Sequence, residues 1–124
     1  MIYADTDFFL AIAKKEDWLK SSARQTYQKH KGAIVTSLVT LIELLLVAQK
    51  RGYQDLEELV ASVFQIADLE GIKIDEATEA AFLIREKKLG VFDAFHAVLS
   101  RGRPIASSEH IYDLIGKERI PLEK

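Results

Sequence analysis

The sequence predicts an α/β fold: a three-layer sandwich in which a short, mostly parallel sheet of about four or five strands is covered by helices. Two observations carry this expectation. Short apolar or β-branched runs alternate with helix-period segments along the whole chain, and that alternation places crossover helices on both faces of a parallel sheet. The 124 residues also hold no internal repeat and no Pro-, Gly- or Ser-rich linker, and 48% of them are hydrophobic. That is enough for one sizeable core, so the chain is read as a single domain over residues 1–124.

Met1 to Ala4 reads as a first buried strand, ending at Asp5-Thr6-Asp7, with a short helical turn from Phe8 to Ala13. Asp17 is placed to cap a helix running to about Lys29, with Leu19, Ala23, Thr26 and Tyr27 on one face. Ala33 to Thr36 is the second strand. Ser37 caps the helix that follows, Leu38 to Lys50, and Gly52 stops it. Apolar side chains surround this helix, which predicts burial on most sides. Asp55 to Asp68 is an amphipathic helix, with Leu56, Leu59, Val60, Val63, Phe64 and Ala67 at helical spacing. Ile72-Lys73-Ile74 alternates and predicts a third strand, followed by a helix capped by Asp75 and ending at Gly90. Val91 to Ser100 is a further helix, closed by Gly102. Pro104 to Ser107 is the fourth strand, and a short helix over 109–115 and an extended 119–122 finish the chain.

Composition narrows function by exclusion. The absence of cysteine removes disulfides and thiolate metal sites and is compatible with a reducing, cytoplasmic setting. The apolar run over 38–48 is too short for a bilayer and carries Glu43, so no membrane association is expected. Met1 opens directly into an apolar segment without a basic leader, which argues against a secretory signal. Net charge is −2, so global charge does not mark a nucleic-acid binder. Basic residues cluster at Lys14-Lys15, Lys29-His30-Lys31, Lys50-Arg51, Arg85 with Lys87-Lys88, and Arg101 with Arg103. Each cluster suits a solvated helix C-terminus; convergence of several on one rim would steer a polyanion.

The chemistry lies in the acids. Glu43 sits within the most apolar stretch, where an ionised carboxylate needs a partner, a proton or a metal. Asp5, Asp93 and Glu109 stand in similarly apolar settings. Each also has a plainer reading. Asp5 could close its strand in an Asx turn with Thr6 and Asp7, and Glu43 could reach solvent along a narrow strip with Thr40 and Gln49. Asp93 and Glu109 could be ordinary acids of a first helical turn. Asp113, four residues beyond Glu109, faces solvent and is at most an outer participant. In a parallel α/β sheet the ligand crevice lies outside the carboxyl ends of the strands, where Asp5 and Glu109 fall. Several mutually repelling carboxylates suggest a hard cation, Mg²⁺ or Mn²⁺. His30, His96 and His110 show no zinc spacing, and His96, one turn after Asp93, is either structural or an outer support. No GxSxG elbow, Walker loop or GxGxxG is present.

The order of motifs resembles the PIN-domain nucleases, and among them the VapC-like toxins. Tyr3-Ala4-Asp5-Thr6-Asp7-Phe8-Phe9-Leu10 is similar to that family's strand followed by Asp-Thr-Asn. Thr36-Ser37-Leu38-Val39-Thr40-Leu41-Ile42-Glu43 resembles its Ser-x-x-Thr-x-x-Glu helix, and Phe92-Asp93-Ala94-Phe95-His96-Ala97 its Asp-Ala-x-x-Ala helix. Ile105 to Asp113 resembles its terminal strand, acid and aromatic-Asp pair. The resemblance implies a PIN-like fold in which Asp5, Glu43, Asp93 and Glu109 are both catalytic residues and metal ligands. Glu109 stands where the family usually has Asp, and Asp7 where it commonly has Asn. Thr6, Asp7, Ser107 and Asp113 become supporting candidates. The implied activity is hydrolysis of RNA phosphodiester bonds assisted by Mg²⁺ or Mn²⁺. The implied partners are an RNA substrate, a second copy in a homodimer, and a VapB-type antitoxin.

Two alternatives accompany this expectation. One is a PIN-like scaffold that keeps the fold without turnover, suggested by Glu109 and Asp7. The other is a phospho-receiver-type signalling domain, which would need Asp75 as phosphoacceptor.

Overall fold

The protein is described by a computed structural model covering residues 1–13 and 20–123. Asp17, Leu19 and the Lys14-Lys15 pair lie outside the described residues. Along the chain run β1 (Ile2–Ala4), α1 (Thr6–Ala13), α2 (Lys20–His30), β2 (Ile34–Ser37), α3 (Leu38–Lys50), α4 (Leu56–Ile66), β3 (Asp68–Glu70), α5 (Ile74–Lys87), α6 (Val91–Leu99), β4 (Ile105–Ser107), α7 (Ile111–Leu114) and β5 (Arg119–Pro121).

The five strands form one sheet in the order β3-β2-β1-β4-β5, and every neighbouring pair is parallel. The three inner strands are buried at every position, as a sheet covered on both faces requires. Alternation along each strand sorts their side chains into two layers. Ile2, Ala4, Ile34 and Ala106 face a core built with Phe8 and Phe9 of α1, Ala23 of α2, Leu44 and Ala48 of α3, and Leu59 and Val63 of α4. Tyr3, Val35 and Ile105 face the opposite layer, with Val39, Ala97, Leu99 and Tyr112. A small cluster of Ala80, Leu89, Ala94 and Val98 locks α5 onto α6.

Several local readings hold in detail. Ser37 caps α3, its Oγ accepting from the Thr40 N–H at 3.4 Å. Gly52 adopts φ +74°, a left-handed turn that carries the chain off the end of α3.

Others need correction. The third strand is Asp68–Glu70, not Ile72–Ile74. As an edge strand it needs only Leu69 turned inward, where it packs on the core, so its flanking acids hide it from pattern reading. Ile74 is 89% exposed and opens α5. Lys73, rather than Asp75, holds the cap position, and its N–H donates to Glu76 Oε1 at 3.0 Å. α1 begins at Thr6, two residues before the expected Phe8. α3 is less enclosed than expected: Leu38, Ile42 and Leu46 are exposed on its outer side.

Candidate active site

The sheet order creates the site. From β1 the chain runs outward through β2 to β3, then returns to place β4 on the other side of β1. The carboxyl ends of β1 and β4 therefore lie side by side at the reversal point, where α/β sheets bind ligands.

Asp5 leaves the end of β1 and is 3% exposed. Its Oδ1 accepts the Asp7 N–H at 3.0 Å, so the Asx-like turn exists and still leaves the carboxylate in the crevice. Burial pushes the Asp5 carboxyl well above its ordinary range. The charges of Asp7 and Glu43 push the same way, against hydrogen bonds from Ser107 and the Asp7 backbone. Across the crevice, Ser108 Oγ donates to Asp7 Oδ2 at 2.5 Å, and the Glu109 N–H donates to Ser107 Oγ at 2.9 Å. These bonds tie the loop after β4 to the start of α1.

Glu43 enters from α3 and does have a partner. His96 Nε2 lies 2.7 Å from its Oε1, and the Thr6 hydroxyl donates to the same oxygen. Burial works against ionisation of Glu43, but the His96 and Thr6 hydrogen bonds and the His96 charge outweigh it and hold the carboxyl below its usual range. Asp93 lies one turn before His96 on α6, so the two share a helix face. Burial raises its carboxyl, as do the charges of Glu43 and Asp7, with His96 opposing. Glu109 is raised first by burial and then by Asp7, Asp93 and Glu43.

Asp5, Thr6, Asp7, Glu43, Asp93, His96 and Glu109, with Leu10, Val47 and Arg51, line one cavity of about 180 Å³. Larger surface hollows of about 590 and 370 Å³ gather no comparable set of acids. Of the residues marked in the sequence, Asp113 does not line the cavity. It is exposed, and Arg119 Nη2 donates to its Oδ2 at 2.9 Å. Asp75 also lies apart, in the first turn of α5. Among the described residues of the basic clusters, only Arg51 reaches the cavity. Arg101 and Arg103 are ion-paired with Glu76 and Glu70.

The sequence reading of His96 as an outer support holds, but it missed the chain that runs behind Glu43 from His96 to Tyr3. His96 is 1% exposed, and its Nδ1 lies 2.8 Å from the Tyr3 hydroxyl. Tyr3 in turn meets Ser37 Oγ at 2.8 Å and Thr40 Oγ1 at 3.2 Å. Burial pushes the Tyr3 phenol up to about 12, so it remains a neutral donor. The available signal was spacing: Ser37, Thr40 and Glu43 recur every three residues along α3, and Asp93 and His96 do so on α6.

The donor set fits a hard divalent cation. Five carboxylates surround one cavity and repel one another, and Arg51 is the one Lys or Arg among the described residues lining it. Among the described residues, no three Asp, Glu or His side chains are already drawn close enough together to hold an ion. Mutual repulsion opposes closer approach, and an ion between them would offset it.

The sequence model of the PIN domain family matches residues 2–106 of the chain. No curated protein is similar enough in sequence to count as a match. Among solved structures, VapC20 of Mycobacterium tuberculosis, described as a sarcin-ricin loop cleaving toxin, superposes with a TM-score of 0.84 at 19% identity, covering 98% of this chain and 99% of that one. A toxin-antitoxin complex from Klebsiella pneumoniae gives 0.75 at 17% identity, covering 100% and 99%. VapBC-1 from nontypeable Haemophilus influenzae gives 0.68 at 17% identity, covering 100% of both chains. At these identities the likeness is one of fold. With the five-stranded parallel sheet and the match over residues 2–106, it shows that the chain belongs to the PIN domain family.

Proposed function

We propose that this protein is a Mg²⁺- or Mn²⁺-dependent endoribonuclease, the toxin of a toxin–antitoxin pair, acting in the cytoplasm as a single domain over residues 1–124. The observation that carries the reading is the gathering of Asp5, Asp7, Glu43, Asp93 and Glu109 around one cavity at the carboxyl ends of β1 and β4. Among the described residues, no helix is long and apolar enough to cross a membrane.

Asp5, Glu43, Asp93 and Glu109 would hold the metal. When bound, a divalent ion in such a site lowers the pKa of water and neutralises charge building on a phosphodiester. The chain's own residues do the rest. Thr6 and His96 keep Glu43 ionised and fixed. Ser107 steadies Asp5 and the backbone at Glu109. Arg51, at the rim, supplies positive charge for a substrate phosphate.

The fold relative from M. tuberculosis is described as cleaving the sarcin-ricin loop, which supports a structured RNA as the substrate class. The K. pneumoniae relative is a toxin–antitoxin complex and the H. influenzae relative is VapBC-1, which together support an antitoxin partner of the VapB type. Exposed Leu38, Ile42 and Leu46 on α3 support pairing with a second copy. Light scattering at micromolar concentration tests that pairing: a monomer at every concentration rules it out.

Incubation of wild type, Asp5→Asn and Glu43→Gln with labelled RNA and Mg²⁺ or Mn²⁺ tests the activity. Cleavage by wild type alone is expected, and equal cleavage by all three removes the proposal. The non-catalytic scaffold is the second reading, favoured by the spread of the acids in the structure. A folded protein that takes up no Mn²⁺ at millimolar concentration would establish it.

A further inference from the structure

We infer that His96 is the positioning residue for Glu43, and that a buried relay from Ser37 through Tyr3 fixes which ring nitrogen His96 presents and therefore which Glu43 oxygen is offered to a cation. The inference rests on the metal-site reading above.

The hydrogen bonds around the His96 ring fix its orientation. Glu43 Oε1 belongs to an ionised carboxylate and has no proton to give, so His96 Nε2, 2.7 Å away, must donate. On the other side of the ring, Nδ1 lies 2.8 Å from the Tyr3 hydroxyl. That hydroxyl in turn meets Ser37 Oγ at 2.8 Å and Thr40 Oγ1 at 3.2 Å, and Ser37 Oγ accepts the Thr40 N–H at 3.4 Å. Tyr3, Ser37 and Thr40 are 0% exposed and His96 is 1% exposed, so bulk water does not compete for any of these bonds. The ring is therefore held at both nitrogens, Nδ1 on the Tyr3–Ser37–Thr40 cluster and Nε2 on Glu43, which fixes the nitrogen that faces the carboxylate.

The same logic orients the carboxylate. Oε1 takes both donors, His96 and Thr6, and among the described residues none donates to Oε2. One oxygen is thus tied to the protein frame and the other is presented to the cavity. His96 sits 53 residues from Glu43 on a different helix, so the bond also sets α6, and with it Asp93, against α3. Support of this kind behind a metal ligand is worth roughly 10- to 100-fold in metal affinity.

Two measurements decide the matter. Nitrogen-15 NMR of metal-free wild type should show a proton on His96 Nε2. A ring protonated at Nδ1 alone overturns the inference without reference to metal. Calorimetric titration with Mn²⁺ should show binding weakened about 10- to 100-fold in His96→Ala and largely restored in His96→Gln, whose amide N–H can replace Nε2. Wild type that binds Mn²⁺ beside an equally tight, folded His96→Ala overturns the positioning role alone. Wild type that binds no Mn²⁺ overturns the metal reading beneath it. If His96→Ala does not fold, the tautomer and the Gln variant still decide.

Discussion

Two tyrosines make opposite predictions for the same substitution. Tyr3 and Tyr112 are both 0% exposed and both belong to the layer of core that meets α6. The Tyr3 hydroxyl contacts Ser37, Thr40 and His96 at 2.8, 3.2 and 2.8 Å. The Tyr112 hydroxyl is buried with no hydrogen-bond partner among the described residues. Tyr3→Phe removes up to three bonds, but Thr40 Oγ1 already lies 3.5 Å from His96 Nδ1 and can take over there. One polar group is then left unsatisfied, which costs about 1–3 kcal/mol. For a domain of this size 1 kcal/mol is about 4 °C in Tm, so Tyr3→Phe should melt about 4–12 °C lower. Tyr112→Phe removes an unmatched buried hydroxyl, so its Tm should stay level or rise by several degrees. Scanning calorimetry on the two variants beside wild type is the assay. Loss in Tyr112→Phe equal to that in Tyr3→Phe would refute the reasoning, because burial alone would then set the cost.

Two further outcomes follow from the site. Asp5, Asp93 and Glu109 have folded-state carboxyls raised above their unfolded values. The stability they contribute is present below the ordinary carboxylate range of about 4 and is lost as pH rises through their raised values. Glu43 and Glu70 are held low and contribute the opposite dependence, lost only as pH falls further. His30, lowered by burial and by the charge of Lys29, opposes the first trend. Metal-free wild type should therefore lose stability to urea, as pH rises above about 4, more steeply than Asp5→Asn; parallel profiles would contradict this. Arg51→Ala should lower kcat/KM for RNA roughly 10- to 100-fold, the worth of one charge-assisted bond of about 1.5–3 kcal/mol, while leaving Mn²⁺ affinity intact. Unchanged kcat/KM would remove Arg51 from the substrate path.

The architecture was legible where local rules and burial agree. Inner strands such as Ile34-Val35 are apolar on both faces, and Ser37 is a strong cap, so both appear in the sequence and in the structure. β3 was misplaced because Asp68-Leu69-Glu70 needs one inward side chain, whereas Ile72 and Ile74 alternate without a sheet to pair with. α3 misled because an exposed apolar face and a buried one have the same composition. At the site, the acids were visible as charges in apolar settings. Their meeting depends on β4 returning to the side of β1, a long-range fact that no spacing encodes. The Tyr3–His96–Glu43 chain was legible only in part: spacing marked His96 as a candidate support, but the links themselves join residues 93 and 53 positions apart.

The central claim, that carboxylates from remote segments share a divalent ion, is tested most directly by anomalous diffraction from a manganese-soaked crystal. A peak within bonding distance of Asp5, Glu43 and Asp93, with Glu43 turning Oε2 toward it and keeping His96 on Oε1, is the result expected. A fully soaked crystal with no anomalous peak in that cavity would contradict it.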